Sequence, residues 1–212
     1  MKPVPFDRIK HVYKSDDFEE LVKDAVRFFN GTPVHPLPPP ESFLGTGVYA
    51  LYYTGSSSPY KRYAELNRLA YNHPIYVGKA VPKGWRKARV SENENGRSRA
   101  LFLRLKEHAK NISEGAGLSV SDFSCRFIIF ESGGSSMIGT IEAALIKLNL
   151  PLWNTVVDGF GNHTPGNGRF EQAKSGWDVI HPGRAWAEKC KGIPTDKDKI
   201  LSNIELHLRD KK

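Results

Sequence analysis

Two short stretches of the sequence decide the fold: Gly47-Val-Tyr-Ala-Leu-Tyr-Tyr53 and Pro74-Ile-Tyr-Val-Gly-Lys79. Both are runs of β-branched and aromatic residues, the composition that is typical of β-strands. Each run has a tyrosine near its middle, Tyr49 and Tyr76, so two neighbouring strands would place two phenols over one edge of a small sheet. Taken alone, such a pattern more commonly fills a core or a surface. A function therefore has to be argued from what accompanies it.

The segments that follow predict a compact unit in the order strand, strand, helix, strand, helix. The first helix is expected to be capped by Ser98 and to run to about Asn111. The third strand is predicted over residues 124–131, and the second helix runs from Ser136 to Leu150. The fold class is therefore α+β: a small, mainly antiparallel three-stranded sheet flanked by helices.

Other segments are predicted to decorate this core within one domain of residues 1–212. A helix at 15–29, capped by Ser15, precedes a proline-rich stretch that excludes a helix or a central strand and is expected to wrap the core. A further predicted helix, at 60–71, lies in an insertion between the first two strands. The predicted boundaries are 1–44 for the N-terminal segment, 45–155 for the core, 54–73 for the insertion and 156–212 for the C-terminal extension.

The charge and the cysteines limit the classes of protein. The formal net charge is +8, and residues 46–155 hold 15 basic against 8 acidic residues. A polyanionic substrate at that segment would explain the excess. No apolar run reaches membrane-spanning length, and the N-terminus lacks the apolar segment of a signal peptide. Cys125 and Cys190 have no metal-ligand spacing, and Cys125 is expected to be a buried free thiol. These features predict a reducing, cytoplasmic location.

Three side chains in the two core helices suggest chemistry. Glu142 falls inside the apolar arc of the second helix, where a carboxylate is costly unless it is paired or bound to a cation. A structural salt bridge and a Mg²⁺ ligand both satisfy that requirement, and Mg²⁺ suits one carboxylate with waters and phosphate oxygens. On the first helix, Arg104 and His108 stand side by side at i and i+4, along the rim of the packing face. Arginine matches phosphate geometry, and histidine exchanges protons near neutral pH.

In this order, with Asn154 following, the residues resemble the GIY-YIG nuclease superfamily. The resemblance covers roughly residues 45–154 and rests on Gly47-Val48-Tyr49 and Tyr76-Val77-Gly78 together with the later residues. Val48 and Val77 replace the isoleucines of the name, and the segment between the two tyrosines is much longer than in the family. The insertion at 54–73 thus becomes a candidate DNA contact.

The resemblance implies metal-assisted, in-line attack of water on a phosphodiester. It implies that Tyr49 lies beside the attacking water and that Tyr76 places the water or phosphate. Arg104 would steady the phosphate charge, Glu142 would hold one Mg²⁺, and Asn154 would brace the site. For Tyr49 to act as base it needs nearby positive charge, for which the sequence offers Arg104, His108 and Lys61. Whether Tyr49 or His108 takes the proton stays open.

The short flanks and the internal insertion look most like a type II restriction endonuclease, which implies double-stranded DNA, a palindromic site and a homodimer. A repair or homing-type nuclease, and a non-catalytic basic DNA-binding protein, are the alternatives. The expected DNA contacts lie on the inserted helix, on the loop after the second strand and on a glycine-rich loop over 159–169. They are Lys61, Arg62, Lys79, Lys83, Arg86, Lys87, Arg89, Arg97, Arg99, Asn162, His163, Asn167 and Arg169.

Overall fold

The computed structural model describes residues 5–82, 85, 97–164, 170–209 and 211. Within these residues, no helix has the length and apolar character needed to cross a bilayer. The α-helices and β-strands of the described residues are, in chain order, α1 (Asp16–Gly31), β1 (Val34–Pro36), β2 (Gly47–Tyr53), α2 (Lys61–Asn67), β3 (Tyr76–Ala80), α3 (Ala100–Glu114), β4 (Phe123–Ile129), α4 (Ile138–Asn149), α5 (Leu152–Thr155), α6 (Gly176–Ile180) and α7 (Lys197–Arg209).

The fold class is confirmed, with one more strand than predicted. The sheet has the order β1-β4-β2-β3, and every neighbouring pair is antiparallel. The additional strand, β1, comes from the proline-rich stretch and pairs with β4 at one edge. Proline has no N–H to donate to a ladder, which excludes it from a central strand but not from an edge. The prediction of three strands was therefore wrong: the prolines exclude this stretch from a central strand, but they allow the edge strand that it forms.

The predicted helices are confirmed with shifted ends. Ser15 caps α1, because its side chain accepts a hydrogen bond from the Phe18 N–H. The inserted helix is shorter than predicted and ends at Asn67. The buried Asn67 amide donates to the carbonyls of Tyr53 and His73 and accepts from the His73 N–H. These three bonds replace helical hydrogen bonds, so the chain turns back toward β3 at this point.

Each face of the sheet packs against its own helices. Val48, Ala50 and Tyr52 of β2 point to the face covered by α1 and α4. Tyr49, Leu51 and Tyr53 alternate with them and point to the opposite face, which also packs against α3. The alternation follows from the two-residue period of a strand, and it places the first predicted site residue on the α3 side.

The C-terminal extension completes the core on the α3 side. Phe160 and Trp177 are fully buried there and surround Trp153, with ring centroids 4.4 Å and 5.9 Å away from it. Ile200 and Ile204 of α7 belong to the same buried cluster. The extension therefore packs as part of the core on the α3 side of the sheet.

A buried histidine in this cluster predicts sensitivity to acid. His181 donates from Nδ1 to the Ala116 carbonyl, and its Nε2 lies 2.6 Å from the Tyr60 hydroxyl, which must donate to it. Burial lowers the pKa of His181 from 6.5 to about 4. In the unfolded chain His181 is therefore protonated below about pH 6.5, whereas in the folded chain it stays neutral until about pH 4. The free energy of unfolding accordingly decreases as the pH falls through this window. We expect the free energy of unfolding to drop by about 2 kcal/mol between pH 7 and pH 5 from this residue.

Urea denaturation of the parent and of His181→Gln at both pH values checks this expectation. The loss on acidification should be smaller in the variant, whereas His11→Gln, which removes an exposed histidine, serves as the matched control. An identical pH dependence in the parent and in His181→Gln would contradict the assignment.

Candidate active site

The two tyrosines of the predicted strands lie side by side on one face of the sheet. In the antiparallel register Tyr49 stands opposite Gly78, and Tyr76 stands opposite Leu51. The two rings are 6.2 Å apart between centroids. A Cβ atom on Gly78 would lie 2.5 Å from the Tyr49 Oη and 3.0 Å from the Tyr76 ring. Glycine is thus required at this position because any side chain would displace both phenols.

His108 lies behind Tyr49 and is fully buried. Its Nε2 and the Tyr49 Oη are joined by a 2.6 Å hydrogen bond, and its Nδ1 has no hydrogen-bond partner among the described residues. Phe160 stacks on the imidazole with ring centroids 4.6 Å apart. The prediction that His108 stands at the rim of α3 was wrong, because a ring from the C-terminal extension, more than fifty positions away, covers it.

Burial sets the protonation of this pair. It raises the pKa of the Tyr49 phenol well above its ordinary value, and it lowers the pKa of His108 well below its own. The charge of Arg104 lowers the pKa of His108 further. At neutral pH the pair is therefore a neutral phenol beside a neutral imidazole, and His108 supplies no positive charge to Tyr49.

Asn154 holds the strand that carries Tyr76. Its Oδ1 accepts from the Val77 N–H and its Nδ2 donates to the Val77 carbonyl, both at 2.8 Å. β3 is an edge strand, so these backbone groups would otherwise lack a sheet partner. The amide thus substitutes for a neighbouring strand and fixes the backbone next to the tyrosine.

Arg104 lies on the other side of the two phenols and is held by three groups. It donates to the Glu107 carboxylate and to the Gly161 carbonyl, both at 2.7 Å, and its Nη1 lies 3.1 Å from His163 Nε2. His163 in turn lies 2.7 Å from the second oxygen of Glu107. Sequence reasoning missed Glu107, although its i+3 spacing from Arg104 on one helix face would have indicated the pair.

Glu142 is partly buried and paired with a lysine. Its carboxylate lies 2.5 Å from the Lys79 ammonium, and the side chain is 19% exposed. The salt bridge that the sequence had left open is present, but its partner comes from β3 and was predicted to contact DNA. These groups open into one cavity of about 710 Å³, which Tyr49, Tyr76, Lys79, Arg104, Glu107, Glu142 and His163 help to line.

A family model, the Eco29kI GIY-YIG domain, matches residues 41–208. The chain belongs to this GIY-YIG family. The match covers most of the chain, including the insertion and the C-terminal extension, so the nuclease family extends well beyond the core over 45–155. A search of curated proteins found no match. The chain is a nuclease, and the cavity between β2, β3, α3 and α4 is its candidate active site.

The predicted DNA contacts of this nuclease are divided among several places. Arg99 lines the active-site cavity, as do Lys79 and His163, whereas Arg97 is exposed. Lys61 lines a different cleft, so the expectation that it supplies charge to Tyr49 was wrong. Arg62 forms an ion pair with Glu65. Asn162 is exposed and offers its backbone carbonyl to Arg184. Six further candidates lie outside the described residues: Lys83, Arg86, Lys87, Arg89, Asn167 and Arg169.

The nuclease offers the Glu142 carboxylate rather than a cage for a metal ion, because the other carboxylate of the cavity, Glu107, pairs with Arg104 and His163. No group of three or more His, Cys, Asp or Glu side chains converges among the described residues. Mg²⁺ nevertheless accepts a site of this kind, because it keeps several waters and takes phosphate oxygens from its substrate. The Glu142 carboxylate, at the wall of the cavity, fits this donor chemistry, and it is paired with the Lys79 ammonium.

Proposed function

We propose that this nuclease is a type II restriction endonuclease that hydrolyses phosphodiester bonds at a specific site in double-stranded DNA with the help of Mg²⁺. The observation that carries the proposal is the cavity that both phenols, Arg104 and the Glu142 carboxylate help to line. Phosphodiester hydrolysis needs a water that loses a proton and a phosphate whose growing negative charge is stabilised. Each requirement has a matching side chain in this cavity.

Tyr49 is the group that meets the attacking water, and His108 acts behind it. Tyr49 lines the cavity, whereas His108 is fully buried and is hydrogen-bonded to the Tyr49 phenol. As the water gives its proton to the Tyr49 Oη, the phenol passes its own proton to the His108 Nε2. A neutral imidazole can accept that proton, and its low pKa returns the proton once the charge of the transition state has gone. In this proposal the proton of the attacking water goes to Tyr49 while the proton of Tyr49 goes to His108, so the two residues act together as the base.

Arg104 stabilises the phosphate. A guanidinium keeps its positive charge at any physiological pH and presents parallel donors that match phosphate oxygens. Burial alone lowers the pKa of Arg104, but its neighbours, the ion-paired Glu107 carboxylate among them, raise it by more. Preorganised donors of this kind stabilise a transition state without having to reorient during the reaction.

Glu142 would hold the Mg²⁺, which would supply positive charge near the leaving oxygen. The Lys79–Glu142 pair would then have to separate, leaving the ammonium free to contact a phosphate. Lys79 would then have a dual role: it pairs with the carboxylate in the free enzyme, and it contributes to DNA binding in the complex.

A digest of DNA tests whether the nuclease cleaves at a specific site and acts as a homodimer. The purified protein is incubated with phage DNA and Mg²⁺, with a chelator as the control. We expect discrete fragments whose ends share one sequence related by two-fold symmetry, because two identical active sites would cut the two strands of a palindrome. The oligomeric state is measured in parallel by light scattering.

Three other outcomes contradict the proposal in different ways. Fragments without a common end sequence would indicate a non-specific nuclease. Cleavage confined to bubbles, nicks or lesions would indicate a repair enzyme. DNA that is bound but left intact in Mg²⁺ would indicate a binding protein without catalysis.

A further inference from the structure

A short loop of the C-terminal extension, residues 159–162, contacts three residues of the active site. Its centre is Gly161, whose carbonyl accepts the 2.7 Å hydrogen bond from the Arg104 Nη2. A Cβ atom on Gly161 would lie 2.5 Å from the Tyr76 Oη, so the loop backbone packs directly on that phenol. The neighbouring Phe160 stacks on His108. The conformation of residues 159–162 therefore affects three site residues at once.

This loop is held from behind by a buried arginine. Arg184 is fully buried, and its guanidinium makes five hydrogen bonds. Two go to the carboxylate of the buried Asp178, at 2.7 Å and 2.8 Å. The other three go to the carbonyls of Gly159, Phe160 and Asn162. The ring of Trp177 lies 4.6 Å from the guanidinium carbon.

The carbonyls of residues 159–162 are divided between two arginines. Of four consecutive loop carbonyls, those of residues 159, 160 and 162 accept from Arg184, and the carbonyl of Gly161 accepts from Arg104. A guanidinium is planar and its donors have fixed directions, so Arg184 defines the path of the loop backbone. Once three carbonyls face the core, the fourth faces the active site.

We propose that Arg184 is a positioning residue of the nuclease reaction, which acts on Arg104 through the loop of residues 159–162. The inference rests on the proposed function, because it takes Arg104 to be the group that contacts the scissile phosphate. A buried ion pair adds little to stability compared with apolar residues of similar size. Arg184, paired with Asp178, instead fixes the backbone conformation of residues 159–162, and this loop restricts the Arg104 guanidinium to one orientation.

A double-mutant cycle between the two arginines tests the inference. Single-turnover cleavage and DNA affinity are measured for the parent, Arg184→Met, Arg104→Ala and the double variant. We expect Arg184→Met to lower the cleavage rate roughly 30-fold in the parent, as is typical of coupled neighbours, and to change the DNA affinity less than twofold. In the Arg104→Ala background the same change should cost clearly less, roughly threefold, because Arg104 is absent and only the loop contacts with Tyr76 and His108 remain to be disturbed.

Arg126→Met is the matched control. Arg126 is also a buried arginine that packs on an aromatic ring, here Tyr52, and it donates to the Tyr71 carbonyl. It lies on β4 opposite Ala50, whose side chain points to the sheet face away from the active site. This variant should lose stability but keep the parental cleavage rate.

The outcomes separate the inference from the proposed function. An equal loss of rate on substituting Arg184 in both backgrounds would show a merely structural role and overturn the inference. If Arg184→Met does not fold, Arg184→Lys carries the same cycle, because lysine keeps the charge beside Asp178 but cannot direct three carbonyls. If Arg104→Ala cleaves at the parental rate, the phosphate role of Arg104 is wrong, and the proposed function fails at that residue.

Discussion

The Glu142→Ala variant is expected to lose magnesium-dependent cleavage by about a thousandfold or more, while it still binds DNA. The carboxylate is the residue that would hold the metal ion, and a bound metal supplies several kcal/mol of charge stabilisation to the transition state. DNA binding depends mainly on basic residues and counterion release, which this change does not reduce. Single-turnover cleavage across a range of Mg²⁺ concentrations and a gel-shift assay in Ca²⁺ measure the two properties separately.

Glu188→Ala is the matched control for Glu142→Ala. Glu188 forms a carboxylate–lysine pair with Lys174 at the same 2.5 Å separation but does not line the active-site cavity. Its loss should leave the cleavage rate unchanged. Vigorous magnesium-dependent cutting by Glu142→Ala would show that Glu142 is only the structural partner of Lys79.

Arg104→Ala is expected to cost on the order of 3 kcal/mol of transition-state stabilisation, about a hundredfold or more in rate. The guanidinium is held at the cavity wall by Glu107 and Gly161, so its donors are directed before the substrate arrives. The rate under single-turnover conditions should fall, while DNA affinity should change far less.

A second arginine with the same local pairing serves as the control for this change. Arg27 forms an i,i+3 ion pair with Asp24 on α1, as Arg104 does with Glu107 on α3, but it is exposed and far from the cavity in the fold. Arg27→Ala should therefore cleave like the parent. An Arg104→Ala rate within a factor of two of the parent would show that Arg104 does not contact the phosphate.

Strands and helices with a clear period could be predicted from the sequence, whereas elements set by pairing could not. β2, β3 and β4 are runs of β-branched and aromatic residues, so each was found with nearly correct ends. β1 has three residues, including one proline, and exists because β4 offers it free backbone groups. Such a strand leaves no periodic signal, and only the partner reveals it.

The site divides in the same way. Local patterns put Tyr49, Tyr76, Arg104 and Glu142 on strands and helix faces of one small core, and the resemblance to the GIY-YIG superfamily joined them in one site. The burial of His108 could not be predicted, since it depends on Phe160. The role of Arg184 was equally hidden, because its five bonds reach residues 6 to 25 positions away in the chain.

The loop held by Arg184 also limits how this enzyme could be redesigned. A fragment of residues 45–155 would contain all six predicted catalytic side chains, yet it would lack the ring that covers His108 and the carbonyl that receives Arg104. The catalytic core is therefore not a cassette that can be grafted onto foreign DNA-binding proteins. Exchanging the C-terminal extension in order to alter DNA binding would therefore alter the rate of cleavage as well.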